Sequence, residues 1–218
     1  MAEFVHLHVH TEFSLLDGMA KIKPLTARAA ELGMPALAVT DHGVMYATIQ
    51  FYRACKEANV KPLIGVEMYI APRRMTDKDP EKDRRSTHLT LLAANQAGYA
   101  NLLHIASAAQ LQGFYYHPRV DKEYLAGHAE GVIALSGCGS GELSRLLRDE
   151  RWDEARAVAD WYRSTFGRDN FFVELQDHEI PELRAVTPRL IRLAREMGIP
   201  MVLTNDVHYI HRKDAQAH

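Results

Sequence analysis

In the stretch "FVHLHVHTEFSLLDG" (residues 4–18), His6, His8 and His10 alternate with Val5, Leu7 and Val9. Side chains of an extended strand point alternately to opposite faces. This spacing therefore predicts three imidazoles on one face and apolar side chains on the other. Imidazoles packed against ordinary core would lose water without gaining partners, which costs free energy. Either that face is wet or it holds something that takes nitrogen ligands. Further along, metal-capable side chains recur at the ends of apolar runs. They are Asp17 in the loop after the first run, Asp41 and His42 in "TDHG", Glu67 in "IGVE", His88 opening "HLTLLAA", Cys138 after "LSG", and Asp206 and His208 in "NDVH". Imidazole, carboxylate and thiol together suit zinc, manganese or iron better than magnesium or calcium, which prefer oxygen alone. The candidates exceed one tetrahedral site and are enough for two or three ions sharing a bridging carboxylate.

Seven apolar runs must position these groups: 3–10, 35–43, 60–71, 88–94, 131–137, 170–176 and 200–206. Helical patterns separate most of them, at 23–33, 46–59, 96–112, 151–167 and 182–198, the last expected to kink or start late at Pro188. Such alternation predicts a parallel α/β fold, and a barrel and an open doubly wound sheet both fit it. Ligand sites in these folds gather at the carboxyl ends of the strands, so most of the candidate ligands would meet on one rim. His88 fits less well, because it opens its strand. Residues 72–86, polar and of mixed charge, read as an exposed loop. No GxGxxG or GKS/T loop follows a strand, which removes the main support for dinucleotide or P-loop chemistry.

The chain has 218 residues, 47% of them hydrophobic, enough for one sizeable domain. Its net charge of −2 argues against a protein that grips nucleic acid by charge alone. Two distant cysteines, Cys55 and Cys138, form neither a disulfide framework nor a CxxC module and fit a reducing, cytoplasmic compartment. No signal peptide and no membrane-length apolar run is evident. Residues 1–210 read as one domain, and 211–218, "HRKDAQAH", as the start of a linker or a further domain.

In order, "LHVHTEFS", "AVTDHG", "IGVE", the histidine opening "HLTLLA", "LSGC" and "TNDVHY" resemble the polymerase and histidinol phosphatase (PHP) family. "FSLLDG", "YHPRV" and "HRKDAQAH" place the resemblance in the branch that forms the N-terminal domain of bacterial DNA polymerase III alpha subunits. The resemblance covers essentially the whole chain. It implies a distorted seven-stranded parallel β/α barrel, TIM-like and single-domain, with a trinuclear metal centre. Carried over position by position, the ligands would be His8, His10, Asp17, His42, Glu67, His88, Cys138, Asp206 and His208, with Glu67 as the bridging carboxylate.

The implied activity is metal-dependent phosphodiester hydrolysis, a 3′–5′ exonuclease that proofreads within a replicative DNA polymerase. It would proceed by in-line attack of a metal-bound hydroxide, with no separate side-chain nucleophile. Arg119 would be a phosphate contact. His6 stands where the family often has aspartate and would orient a ligand; His117 stands where relatives often carry lysine. Implied partners are the 3′ end of DNA, the rest of a polymerase chain, and a proofreading or clamp-associated subunit, with no membrane. Two alternatives stay open: a stand-alone phosphomonoesterase of the histidinol phosphatase type, and a structural module that docks a separate proofreading subunit.

Other residues have plainer readings. His104, His117, His128, His211 and His218 are expected to be surface or hydrogen-bonded histidines, and His178 to line the mouth of the site. Cys55, Tyr46, Phe51 and Tyr52 read as core. Asp41 is expected to hold a turn or orient His42.

Overall fold

The structure, a computed structural model, describes residues 4–218. Its elements are α1 (Ile22–Glu31), β1 (Ala36–Val39), α2 (Thr48–Glu57), β2 (Lys61–Ile70), β3 (Thr87–Ala93), α3 (Gln96–Leu111), β4 (Arg119–Val120), α4 (Lys122–Ala126), β5 (Val132–Leu135), α5 (Glu142–Arg148), α6 (Trp152–Phe166), β6 (Phe171–Gln176), α7 (Pro181–Met197) and β7 (Met201–Thr204), followed by a 3-10 turn, Arg212–Gln216. One curled sheet runs β1-β2-β3-β5-β6-β7, and β4 pairs with β2. No helix among the described residues is long and apolar enough to cross a membrane.

The expected fold, an α/β barrel, is present with one inversion. β3 is antiparallel to both β2 and β5, while the pairs β1–β2, β2–β4, β5–β6 and β6–β7 are parallel. A parallel neighbour needs a long crossover, usually a helix. Residues 71–86 between β2 and β3 contain no helix, so the chain returns antiparallel. This inversion carries the start of β3 to the rim where its neighbours end: His88 pairs with Tyr69 near the end of β2.

The first apolar run is extended but not a regular strand. Its backbone joins the two edges of the sheet. His6 O and Val9 O accept from Ala38 N and Thr40 N on the β1 side, and on the other side His10 N donates to Val207 O while Val207 N donates to His8 O. Residues 6 and 9 thus face 38 and 40, three steps against two, which defines a bulge with one extra residue. The chain bends at His8. Alternation slips there: Leu7 packs inside the barrel with Ala38, Leu63 and Phe172, while Val9 packs outside with α1 and α2. The expectation of three histidines on one face is therefore corrected. His8 and His10 both reach the interior, whereas His6 lies outside, beside Leu25, Ala29 and Met34.

The interior is layered. Leu7, Ala38, Leu63, Leu92, Leu135, Phe172 and Val202 fill its floor. Two residues onward along the strands comes a polar layer of Thr40, Thr90, Glu174 and Thr204, all buried. Two further on stand His42, Glu67, His88 and Asp206. Helices cover the outside of most strands, so β1 and β5 are largely buried on both faces without polar alternation, whereas β7 leaves Met201 and Leu203 exposed.

Two other expectations need correction. The loop 72–86 is not merely solvated: Asp83 is fully buried, and Arg73 donates to both its carboxylate oxygens. Tyr46 and Tyr52 are 64% and 48% exposed rather than core, while Phe51 and Cys55 are fully buried as expected. Pro188 lies inside an otherwise continuous α7.

Candidate metal centre

Glu67 is the hub of the site. Its Oε1 lies 3.2 Å from His8 Nε2, 3.1 Å from His88 Nδ1 and 3.6 Å from Cys138 Sγ. Its Oε2 lies 2.6 Å from His42 Nδ1 and 3.8 Å from His10 Nε2. Asp206 Oδ1 is 3.4 Å from His8 Nε2 and 3.2 Å from His10 Nε2. Asp17 Oδ2 is 3.2 Å from His42 Nε2 and 3.7 Å from His208 Nε2. The barrel rim thus brings together all nine side chains singled out in the sequence. Three triads have donor atoms mutually within 4.8 Å: His10–His42–His208, His8–His10–Asp206 and His42–Glu67–His88.

Local chain geometry puts them there. Asp206 has a left-handed backbone (φ 47°), sparsely populated for a non-glycine residue. That kink past β7 turns its carboxylate inward. Gly137 (φ 83°) lets the chain after β5 pass close under His88, where a Cβ would meet His88 O at 2.6 Å. The tight passage brings Cys138 Sγ to 3.9 Å from His88 Nδ1.

The atoms facing the centre are poorly served by hydrogen bonds. His8 Nε2, His10 Nε2, His42 Nδ1, Glu67 Oε2 and Asp206 Oδ1 are buried and, although some lie as close to one another as 2.6 Å, they form no well-directed hydrogen bond among the described residues. Buried polar atoms are ordinarily paired, and leaving one unpaired costs free energy. Five such atoms converging on one pocket make a cradle shaped for cations, and the donor set is the imidazole–carboxylate–thiol mixture that borderline divalent metals prefer.

Behind the ligands, hydrogen bonds fix ring orientation. His8 Nδ1 lies 2.7 Å from Glu174 Oε1, which leaves Nε2 toward the centre. Glu174 also accepts from Thr204, Thr90 and Gln176. His10 Nδ1 lies 3.1 Å from Ser14 Oγ, and Ser14 Oγ donates to Asp41 Oδ1 at 2.8 Å. Asp41 also accepts from Thr11 N and Thr11 Oγ1. Asp41 therefore holds the turn after the first run, as expected, and through Ser14 it orients His10.

Electrostatics follow from this crowding. Burial opposes charge on His8, but the Asp206, Glu174 and Glu67 carboxylates outweigh it and raise its pKa well above the ordinary value. Burial dominates at His10, whose pKa falls to about 4. Burial would raise the Glu67 pKa, yet His88, His8 and His42 hold it well below the usual carboxylate range. Burial, with the Glu67 and Asp206 charges, pushes the Cys138 thiol well up; a cation reverses that logic.

Some assignments shift. Arg119 is fully buried and donates to four backbone carbonyls, those of Gly113, Asp83, Met75 and Asp77. It organises the 72–86 loop, and the expectation of a phosphate contact is corrected. His6 orients no ligand: its buried Nδ1 has no hydrogen-bond partner among the described residues. His117 stacks on Tyr69 at 4.4 Å, and His178 lines the cleft. His218 packs against His208 and Tyr209.

Glu174, Ser14 and the threonines of the polar layer were missed in the sequence. One signal was available for Glu174. In "FFVELQ" it is a carboxylate inside an apolar run, at the spacing that shares a face with Phe172 and Gln176.

The chain belongs to the PHP domain family, whose pattern it matches over residues 6–178. It is 48% identical over 215 residues to the DNA polymerase III subunit alpha of Treponema pallidum, covering 98% of this chain and 18% of that protein. It is 46% identical over 224 residues to the corresponding subunit of Deinococcus radiodurans, covering 99% of this chain and 17% of that one. The chain thus spans about a fifth of the length of these relatives. Among solved structures, a Bifidobacterium adolescentis protein described as a candidate metal-dependent phosphoesterase shares the fold, with a TM-score of 0.57 at 17% identity over 95% of this chain and 88% of that one.

Proposed function

We propose that this domain is a metal-dependent phosphodiesterase that removes nucleotides from the 3′ end of DNA, as the proofreading part of a DNA polymerase III alpha chain. The observation that carries this reading is the convergence of five unpartnered buried donor atoms on one pocket at the barrel rim. The polymerase relatives supply the substrate class. They also favour DNA over a small phosphomonoester.

His8, His10, Asp17, His42, Glu67, His88, Cys138, Asp206 and His208 would hold two or three divalent ions, with Glu67 between them. Such ions activate water and neutralise the charge of a phosphodiester. The protein's own residues fix the geometry in advance. Glu174 and Ser14 lock the His8 and His10 rings, and the apolar floor closes the pocket from below. No serine or cysteine nucleophile paired with a base is required.

Purified protein assayed for zinc, manganese and iron is expected to carry at least two equivalents in total. A 3′-labelled primer is expected to be shortened, the activity to vanish on chelation, and manganese or zinc add-back to restore it. Metal-loaded protein that leaves the primer intact would refute the exonuclease. If that protein instead hydrolysed a small phosphomonoester, the phosphatase alternative would replace it. Glu67→Gln is expected to lose both metal and activity together.

A further inference from the structure

The cleft outside the ligand cluster carries three arginines, of which Arg148 donates to Gly139 O at 3.4 Å. Arg85, Arg145 and Arg148 line the same opening as His88, Cys138 and His208. Arg145 lies on α5, the helix that begins just after Cys138, and is half-buried. Among the described residues none of the three is in a salt bridge, whereas Arg73, Arg151, Arg156 and Arg189 each are. Glu142, on the same helix as Arg145, is held by Lys122 and Tyr162. Asp149 and Glu182 are the other carboxylates along this part of the cleft. Burial, then the charges of Arg148 and Arg85, lower the Arg145 pKa, and Cys138 opposes them.

Unpaired like charges held together repel one another. A half-buried, planar guanidinium without a carboxylate suits an oxyanion such as phosphate, two of whose oxygens it can grip with parallel hydrogen bonds. Ions held by the ligand cluster would engage one phosphate of a substrate, and the three arginines line the same cleft as His88, Cys138 and His208. We propose that Arg145, flanked by Arg85 and Arg148, binds a second backbone phosphate of a nucleic-acid strand whose terminal phosphodiester lies at the cation cluster. The proposal rests on the phosphodiesterase reading above and narrows its substrate to a strand with at least two phosphates. A small phosphomonoester has nothing to place there. This local cluster also answers how a chain of net charge −2 engages a polyanion.

Binding of fluorescein-labelled octathymidylate in excess chelator, across a salt series, reads the subsite without turnover. Each phosphate contact on single-stranded DNA contributes about 0.7 to the slope of log affinity against log salt. Arg145→Ala is expected to flatten the slope by about that amount and to weaken binding roughly tenfold at low salt. Arg148→Ala, at an exposed position, gives the same direction of change should the Arg145 variant fold poorly. Arg192→Ala, on the outer face of α7 and paired with Glu196, is the control with an unaltered slope. Slopes unaltered in both cleft variants overturn the proposal.

A second readout uses manganese-loaded protein. The KM for the oligonucleotide is expected to rise several-fold more than that for bis(p-nitrophenyl) phosphate, which carries a single phosphate. Equal rises would place Arg145 on the scissile phosphate and overturn the second-phosphate site. Loaded protein that cuts neither ester while the binding slope still responds would defeat the phosphodiesterase reading and leave the anion subsite standing.

Discussion

His8 Nδ1 sits 2.7 Å from Glu174 Oε1, and neither side chain has solvent exposure. The pair fixes which imidazole nitrogen faces the centre, and Glu174 is itself fixed by Thr90, Gln176 and Thr204. Carboxylates in this position orient metal-binding histidines, and removing them typically costs roughly 10–100-fold in metal affinity. Glu174→Gln, which preserves shape, is expected to weaken zinc or manganese binding by that range in a competitive chelator titration. Wild-type affinity in this variant would show that His8 needs no such partner.

Arg119 is expected to act on stability and not on catalysis. Arg119→Met strips four backbone carbonyls, three of them in buried contacts, of their donor. Leaving a buried carbonyl without its donor costs roughly 1–3 kcal/mol, so the loss is on the order of a few kcal/mol in all. Urea unfolding should report a loss of that size, while metal content per folded molecule stays at the wild-type value. A variant of normal stability with a raised KM for DNA would restore the phosphate role.

His6 should behave opposite to its neighbours. Its Nδ1 is buried without a hydrogen-bond partner among the described residues, and burial lowers its pKa. A histidine with a depressed folded pKa leaves stability intact above the unfolded pKa of about 6.5 and erodes it as pH falls toward the folded value. His6→Leu is therefore expected to unfold at higher temperature than wild type, with the gap widening below about pH 6.5, and to retain its metal. Loss of metal in His6→Leu would return His6 to the site.

Asp83 anchors the loop through Arg73, whose hydrogen bonds, more than the opposing burial, draw its pKa down to about 2. Stability from such a group is fully present above its unfolded pKa of about 3.9 and is lost as pH falls through the folded value. Asp83→Asn is expected to lower the melting temperature at neutral pH and to flatten its decline between about pH 4 and pH 2. An unchanged acid profile would count against this linkage.

The order of apolar runs and helices announced a parallel α/β fold, barrel or open sheet, and the family resemblance pointed to the barrel; the nine ligand-type residues could be picked from the sequence because each stands at a strand terminus or in a family motif. Periodicity reports which residues share a face only while the strand stays regular. The bulge at His8, set by backbone hydrogen bonds to β1 and Val207, shifted the phase and separated His6 from His8 and His10. Strand direction is likewise a property of neighbours: His88 opens its strand, and the antiparallel placement of β3 alone puts it beside Glu67. Arg119 reads as a surface cation until the loop folds over it. Local sequence thus specified which chemistry was available and on which elements, because propensity and patterning are short-range. Which of those groups meet, which turn away, and which support the others was decided by packing between segments far apart in the chain.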